Sequence, residues 1–362
     1  MWTGIPKLIV ATVAISALLA GAAPAGAQQL DMTPMKLHLA GSAGIAYVTL
    51  IAAQSQGFLK KENLEVDYTT LPGSAAIAEA LGANNVDVGV TSLATSVLAT
   101  MKGVRQTMVA GLEQTFTDAT GRSWDATMIV VRPNEGIKKI SDFKGKRIAI
   151  NDIGSVYNFM LRAQLLKEGL DPDKDLTILP LPFPQMAGAL LQKEVDVIVV
   201  SIDGYYQAKL RAPVEVIGTH STLEGVQVSL TSNVGVSNKL LQSKPDVVVR
   251  FLRALLQARL WLNEAVKTKP EEVKAMIAKE MNYSPDRVTQ FYETRAGWYG
   301  RELEYVNLMD TPVQLIERNI EILKAAKLAK PDASSDYAVY VDIKPLMRAY
   351  STLGLNWDPA KH

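Results

Sequence analysis

The chain has 362 residues, 48% hydrophobic and 21% charged, an ordinary globular profile for about two domains that excludes whole-chain disorder and a collagen-like fibre. Its 38 lysines and arginines balance 37 aspartates and glutamates with no basic run, so no nucleic-acid partner is expected. The absence of cysteine excludes disulfides, zinc–thiolate sites, iron–sulfur clusters, a thiol nucleophile and a lipidated cysteine.

Lys7 is the sole charge before Asp31. Apolar residues Leu8–Leu19 follow it, then small residues, Pro24 and Ala25-Gly26-Ala27. This charged, apolar, small-x-small order is that of a secretory signal, and cleavage is expected after Ala27. A membrane span needs about 20 apolar residues, and Pro24 with its small neighbours interrupts the run. The mature chain 28–362, without Lys7, carries 37 basic and 37 acidic residues. It is expected to be a monomer in the bacterial periplasm, with no membrane anchor.

From Met35 onward, short apolar runs alternate with helical patterns. Strands are expected at Lys36–Ala40, Leu64–Leu71, Val86–Val90 and Gln106–Gly111, with helices at Ala46–Gln56, Ala75–Gly82 and Ser92–Lys102. A turn-rich stretch, Thr115–Asp125, precedes a short strand at Met128–Val131. The series then repeats, with strands at Arg147–Ile150, Leu176–Leu181, Val195–Val200 and Val214–Gly218, and helices at Ser155–Gly169, Pro184–Lys193 and Gly204–Leu210. Val226–Val236 is β-rich and broken by Ser232-Asn233. Helices follow from Pro245–Lys267, where Val249, Leu252, Leu256 and Leu260 form one stripe, and from Pro270, Pro285 and Pro312.

The repetition is written in the residues. Ala78–Ser92 and Ala187–Ser201 share eight of fifteen positions at an offset of 109, including Val86/Val195, Asp87/Asp196 and Ser92/Ser201. Upstream, Gly44 and Tyr47 match Gly154 and Tyr157 at an offset of 110. The expected fold is therefore α/β: two lobes on one plan, each a mixed, mainly parallel sheet flanked by helices, linked by two crossover strands near 126–132 and 226–236. The first part of lobe one spans 28–128, lobe two 129–222, and the return to lobe one, with the C-terminal helices, 223–362.

Ligands of open α/β sheets bind beyond the carboxyl ends of the strands. The strand-to-helix turns supply the candidate ligand-binding residues: Gly44, Ile45, Ala46, Tyr47, Gly73, Ser74, Thr91, Ser92, Gly154, Ser155, Tyr157, Ser201 and Asp203. Glycine lets a ligand approach the backbone, and a serine at a helix start offers a hydroxyl beside unpaired N–H groups that favour anions. Each such serine is equally explained as a helix cap, and Tyr47 and Tyr157 as packing. Asp87 and Asp196, inside matching Val-Asp-Val runs, suggest a structural role, such as a turn or a backbone hydrogen bond, more than catalysis. The histidines His38, His220 and His362 lack ligand spacing, so no metal is expected. Gly145-Lys146-Arg147 is not a phosphate loop, and no nucleophile-elbow or dinucleotide motif occurs, so neither a cofactor nor a catalytic residue is assigned.

Three segments together resemble a known family. They are Ser141-Asp142-Phe143-Lys144-Gly145-Lys146-Arg147, then Gly154-Ser155 leading to Glu168-Gly169-Leu170, and Gly57-Phe58-Leu59 leading to Glu62-Asn63-Leu64-Glu65-Val66. The pattern is similar to the nitrate/sulfonate/taurine class of ABC-transporter solute-binding proteins over most of residues 36–265. The resemblance implies the type 2 periplasmic-binding-protein clamshell. It also implies capture of a small molecule at the strand ends, here expected to be an organic anion such as a sulfonate or carboxylate, and delivery to ABC permease subunits. Glu113–Trp124 looks long for the family. A related fold serves pyrimidine-precursor synthases, but those carry a cysteine-rich motif and are intracellular. A ligand-sensing protein acting in trans is the other alternative to a binding protein without chemistry of its own.

Overall fold

Valine-rich runs covered on both faces make the central strands of two five-stranded sheets. A computed structural model describes residues 29–41, 48–116, 127–219, 228–295, 299 and 307–362. The strands are β1 (Met35–Gly41), β2 (Leu64–Thr70), β3 (Val88–Ser92), β4 (Gln106–Phe116), β5 (Thr127–Val131), β6 (Arg147–Ile150), β7 (Thr177–Pro180), β8 (Val197–Ser201), β9 (Glu215–Thr219) and β10 (Val228–Ser237). The first sheet has the order β2-β1-β3-β10-β4 and the second β7-β6-β8-β5-β9. In each, two parallel pairs lead to a central strand flanked by an antiparallel one, β10 in the first sheet and β5 in the second. The first sheet receives that strand last in chain order, the second first.

The offset of 109 reappears in the pairing. Leu39 faces Val88 and Ala40 faces Gly89 between β1 and β3; Ile148 faces Val197 and Ala149 faces Ile198 between β6 and β8. The paired aspartates do the same work in both sheets. The Asp87 carboxylate accepts the His38 N–H at 3.0 Å while its own N–H reaches the His38 carbonyl at 2.8 Å. Asp196 makes the same two bonds to Arg147, each at 2.8 Å. Each aspartate thus closes the end of a parallel pair where a backbone N–H would otherwise lack an acceptor.

Thirteen α-helices surround the sheets among the described residues: α1 (Val48–Ser55), α2 (Phe58–Lys61), α3 (Ser74–Gly82), α4 (Leu93–Met101), α5 (Val156–Lys167), α6 (Phe183–Leu191), α7 (Ile202–Lys209), α8 (Asn238–Ser243), α9 (Pro245–Thr268), α10 (Pro270–Met281), α11 (Pro285–Arg295), α12 (Val313–Ala325) and α13 (Lys344–Thr352). Three sequence expectations change. Strand β4 runs on to Phe116, and β10 continues through Ser232-Asn233 instead of breaking there. Register shifts around Ser232 absorb the irregularity, and the fully buried Asn233 donates its side-chain amide to the Thr91 carbonyl at 3.2 Å. The stripe on α9 also ends early: Val249, Leu252 and Leu256 are buried, but Leu260 is 37% exposed. From Val247 to Leu256 the helix is covered on nearly every side, by α1, α2 and α13 among others. Beyond Ala258 burial is confined to one side, and Leu260 falls on the other.

A single apolar core passes from one sheet to the other. Leu93, Ala94, Val97 and Leu98 of α4 and Met108 of β4 share it with Ile129 and Val131 of β5, Ile148 and Ile150 of β6, and Phe159 and Leu165 of α5. Helix α12 completes it through Leu315, Ile316, Ile320 and Leu323. The other face of the second sheet packs Val130, Ala149, Ile198 and Val200 under α6 and α7.

Candidate ligand-binding site

The carboxyl ends of the parallel strands in the two sheets meet. On the side of the first sheet, Gly73 precedes α3, and Ser92 ends β3 and caps α4 by accepting the Thr95 N–H at 3.3 Å. Ser74 holds the two turns together, its hydroxyl accepting the Ser92 N–H at 3.0 Å. On the side of the second sheet, Asn151-Asp152-Ile153-Gly154 leads from β6 to Ser155, which caps α5 and donates its hydroxyl to the Asp152 carbonyl at 2.6 Å. Across the junction, the Thr95 hydroxyl donates to the Gly154 carbonyl at 2.6 Å. A Cβ on Gly73 would stand 2.8 Å from Asp152 Oδ2, and one on Gly154 would stand 3.1 Å from the Ala75 Cβ. Both glycines therefore permit a close approach that a side chain would disturb.

Gly73, Ser74, Ser92, Gly154 and Ser155 are thus brought together. Thr91 is turned into a buried network, with its hydroxyl 2.6 Å from Ser96 Oγ and 3.3 Å from Asn233 Oδ1. Tyr157 is half-buried and meets the Phe183 ring edge-on at 5.5 Å. Ser201 caps α7 by accepting the Gly204 N–H at 3.4 Å, and Asp203 is the second residue of that helix. Strand β8 neighbours β6, so this turn lies one strand over from Asn151-Asp152. Gly44, Ile45, Ala46 and Tyr47 lie outside the described residues, as does Trp124.

Sequence reasoning missed Thr95, Asn151, Asp152 and Asn158. Asp152 was within reach of it, since it lies two residues beyond the β6 pattern, but attention to Gly-Ser pairs started the turn too late. Register exposes a further pair. Ser232 of β10 faces Ser92, and Thr127 of β5 faces Ser201, so the two antiparallel strands place a buried hydroxyl residue at matching positions. Among the described residues of these strand-to-helix turns there is no lysine or arginine, whereas Asp152 and Asp203 are acidic. No group of acidic or histidine side chains among the described residues has the arrangement of a metal site, and no described helix is long and apolar enough to cross a membrane.

The NMT1/THI5-like family model matches residues 45–273, well over half of the chain. The chain belongs to the NMT1/THI5-like family. Its relatives include a Bacillus subtilis chain named as the binding protein YtlA, 23% identical over 67% of this chain and 75% of that one. A chain from Escherichia coli named as an aliphatic sulfonates-binding protein is 23% identical over 68% of this chain and 73% of its own length. A third, the 4-amino-5-hydroxymethyl-2-methylpyrimidine phosphate synthase of Schizosaccharomyces pombe, is 24% identical over 63% and 65%. The fold is that of the two-lobed periplasmic binding proteins. The periplasmic aliphatic sulphonate binding protein SsuA of Escherichia coli superposes with a TM-score of 0.63 at 18% identity, over 86% of this chain and 92% of SsuA. The nitrate-binding protein NrtA of Synechocystis superposes with a TM-score of 0.66 at 12% identity, over 89% of each chain.

Proposed function

We propose that this chain is the periplasmic substrate-binding component of an ABC importer, a monomer that captures a small organic anion between its lobes and presents it to the permease. The observation that carries this reading is the meeting of the two sheets' strand ends, with Thr95 bonded to Gly154 and Asp152 set against Gly73. That is where a ligand of open α/β sheets is held. A sulfonate or carboxylate would draw on the hydroxyls of Ser74 and Ser201, which accept in their turns and keep their protons to donate, and on the helix N–H groups beside them. Native mass spectrometry of the protein from its own periplasm identifies the co-purifying molecule. Calorimetry then tests it: Ser74→Ala with Ser201→Ala should weaken an anion more than tenfold, as hydrogen bonds to charged groups are worth about 1.5–3 kcal/mol each. Unchanged affinity in the double variant, or binding of uncharged compounds alone, would refute the anion reading.

The synthase relative favours a second reading, an enzyme. The same co-purification separates the two: release of the bound molecule unchanged supports a binding protein, and a converted product supports the enzyme.

A further inference from the structure

We infer that the strap Asn307–Pro312 is a third bending link between the lobes, and that a clasp made by Tyr337, Asp358 and His362 holds it in a strained backbone form and so sets how freely the lobes move. The inference goes beyond the binding-protein reading and is the same whether the chain binds its ligand or converts it.

The strap lies along β4, the last strand of the first sheet, where Gly111 donates its N–H to the Met309 carbonyl at 2.8 Å. Every residue of it is buried. It leads directly into α12, whose Leu315, Ile316, Ile320 and Leu323 belong to the core shared by the two sheets. Its backbone is strained at one point. Met309 has a φ of 60°, in the left-handed region that is costly for a long side chain. The six other non-glycine residues of positive φ among the described residues are all exposed, and four of them are asparagines, which tolerate that form. A strained backbone persists where its surroundings impose it, and such segments cluster where a protein binds or switches.

The surroundings here are groups from later in the chain. The Asn307 amide makes two bonds of 2.8 Å with the Asp358 backbone, donating to its carbonyl and accepting its N–H. His362 Nδ1 stands 3.0 Å from Oδ1 of the fully buried Asp310. The His362 carbonyl accepts the N–H of Val313, the first residue of α12. Tyr337 donates its hydroxyl to the Thr311 carbonyl at 2.9 Å and meets the His362 ring edge-on at 5.4 Å. These groups leave together when the clasp opens, and Met309 is then free to return to an ordinary backbone form. Helix α12 stays packed in the shared core, so the change of dihedral falls on the residues just before it, as a hinge requires.

The experiment uses the full mature chain with no ligand added, as wild type, His362→Ala and Tyr337→Phe. Tyr337→Phe removes one hydroxyl, so it decides alone if His362→Ala does not fold. Hydrogen exchange reads the clasp: the Gly111, Val313 and Leu315 amides should exchange about tenfold faster in each variant, while Leu252 in α9 keeps its wild-type rate. Pulsed electron resonance reads the lobes. The chain has no cysteine of its own, so spin labels at Glu65→Cys and Lys174→Cys, exposed positions on the first and second sheets' sides, report a single distance between the lobes. Its distribution should broaden in the variants. Unchanged exchange at the strap, or exchange raised equally in α9, would show that no clasp acts there. A strap that opens while the distance distribution stays as narrow as in the wild type would overturn the link between the two. Neither readout involves a ligand, so either failure leaves the binding-protein reading standing.

Discussion

Arg132 shows how much one side chain can organise here. Only 9% exposed, it donates Nε and Nη2 to the Glu135 carboxylate at 2.7 and 2.6 Å and reaches Asp196 at 3.4 Å. Its Nη1 binds the carbonyls of Leu190 and Val195. Replacing it by alanine would leave the Leu190 and Val195 carbonyls without this donor, while Asp196 keeps Arg147 and the exposed Glu135 turns to water, and should cost about 1–3 kcal/mol in a urea titration. The same cluster makes stability depend on acid. Hydrogen bonds from Arg132 hold the Glu135 carboxyl below its ordinary range. Burial pushes the Asp196 carboxyl up, but hydrogen bonds from Arg147 and the charges of both arginines outweigh it, and its pKa is also lowered. A carboxyl whose pKa is depressed by folding stabilises the protein above its unfolded pKa, about 4, and that contribution is lost as pH falls through the folded value. Asp196→Asn should therefore flatten the loss of stability below pH about 4, measured as urea midpoint against pH; an unaltered acid slope would contradict this. Asp87 and Asp196 were legible in the sequence because the same residue recurs in the same apolar run. Asp152 was not, because its significance lies in what faces it from the other sheet.

At the scale of elements, close packing depends on where glycine stands. A Cβ on Gly89 would lie 2.6 Å from Ile77 Cγ2 and 2.7 Å from Leu81 Cδ1, so α3 sits directly on β3. The equivalent position at the offset of 109 is Ile198, buried beneath the helices of the second sheet. Gly89→Val should overpack the first sheet and cost about 1–3 kcal/mol, read as a lowered melting temperature. The cap at Ser155 gives a second check: Ser155→Ala removes both the α5 cap and the bond to the Asp152 carbonyl, and should cost about 1 kcal/mol. Apolar periodicity and turn residues made nearly every strand and helix readable, and prolines marked the helix starts after Pro245. The lengths of β4 and β10 were not readable. Polar residues such as Ser232 and Asn233 look like a break until a partner strand and the buried Thr91 network supply their hydrogen bonds.

For the whole molecule, the continuous core decides cooperativity. Helix α4 and strand β4 share apolar contacts with both the second sheet and α12, so the lobes cannot separate without exposing Leu93, Val97, Ile316 and Leu323 together. Calorimetry of the mature protein should give one cooperative transition with equal calorimetric and van't Hoff enthalpies; two resolved transitions would contradict a shared core. Any closing motion must bend the links near the crossovers and leave this core packed. Small-angle scattering with the co-purifying ligand should show a smaller radius of gyration than without it, and an unchanged profile at saturation would argue against a hinge there.

The order of strands also has a bearing on how the chain is made. The first sheet closes only when β10 slips between β3 and β4, and β10 ends at Ser237. Until then a nascent chain holding β1 to β4 has a gap in the middle of its sheet, and β3 and β4 each lack their antiparallel neighbour. The N-terminal half therefore has no finished domain to lock into while it is being synthesised. A first sheet that stays open until Ser237 exists is one that a chain secreted as we propose can carry unfolded through a translocation channel.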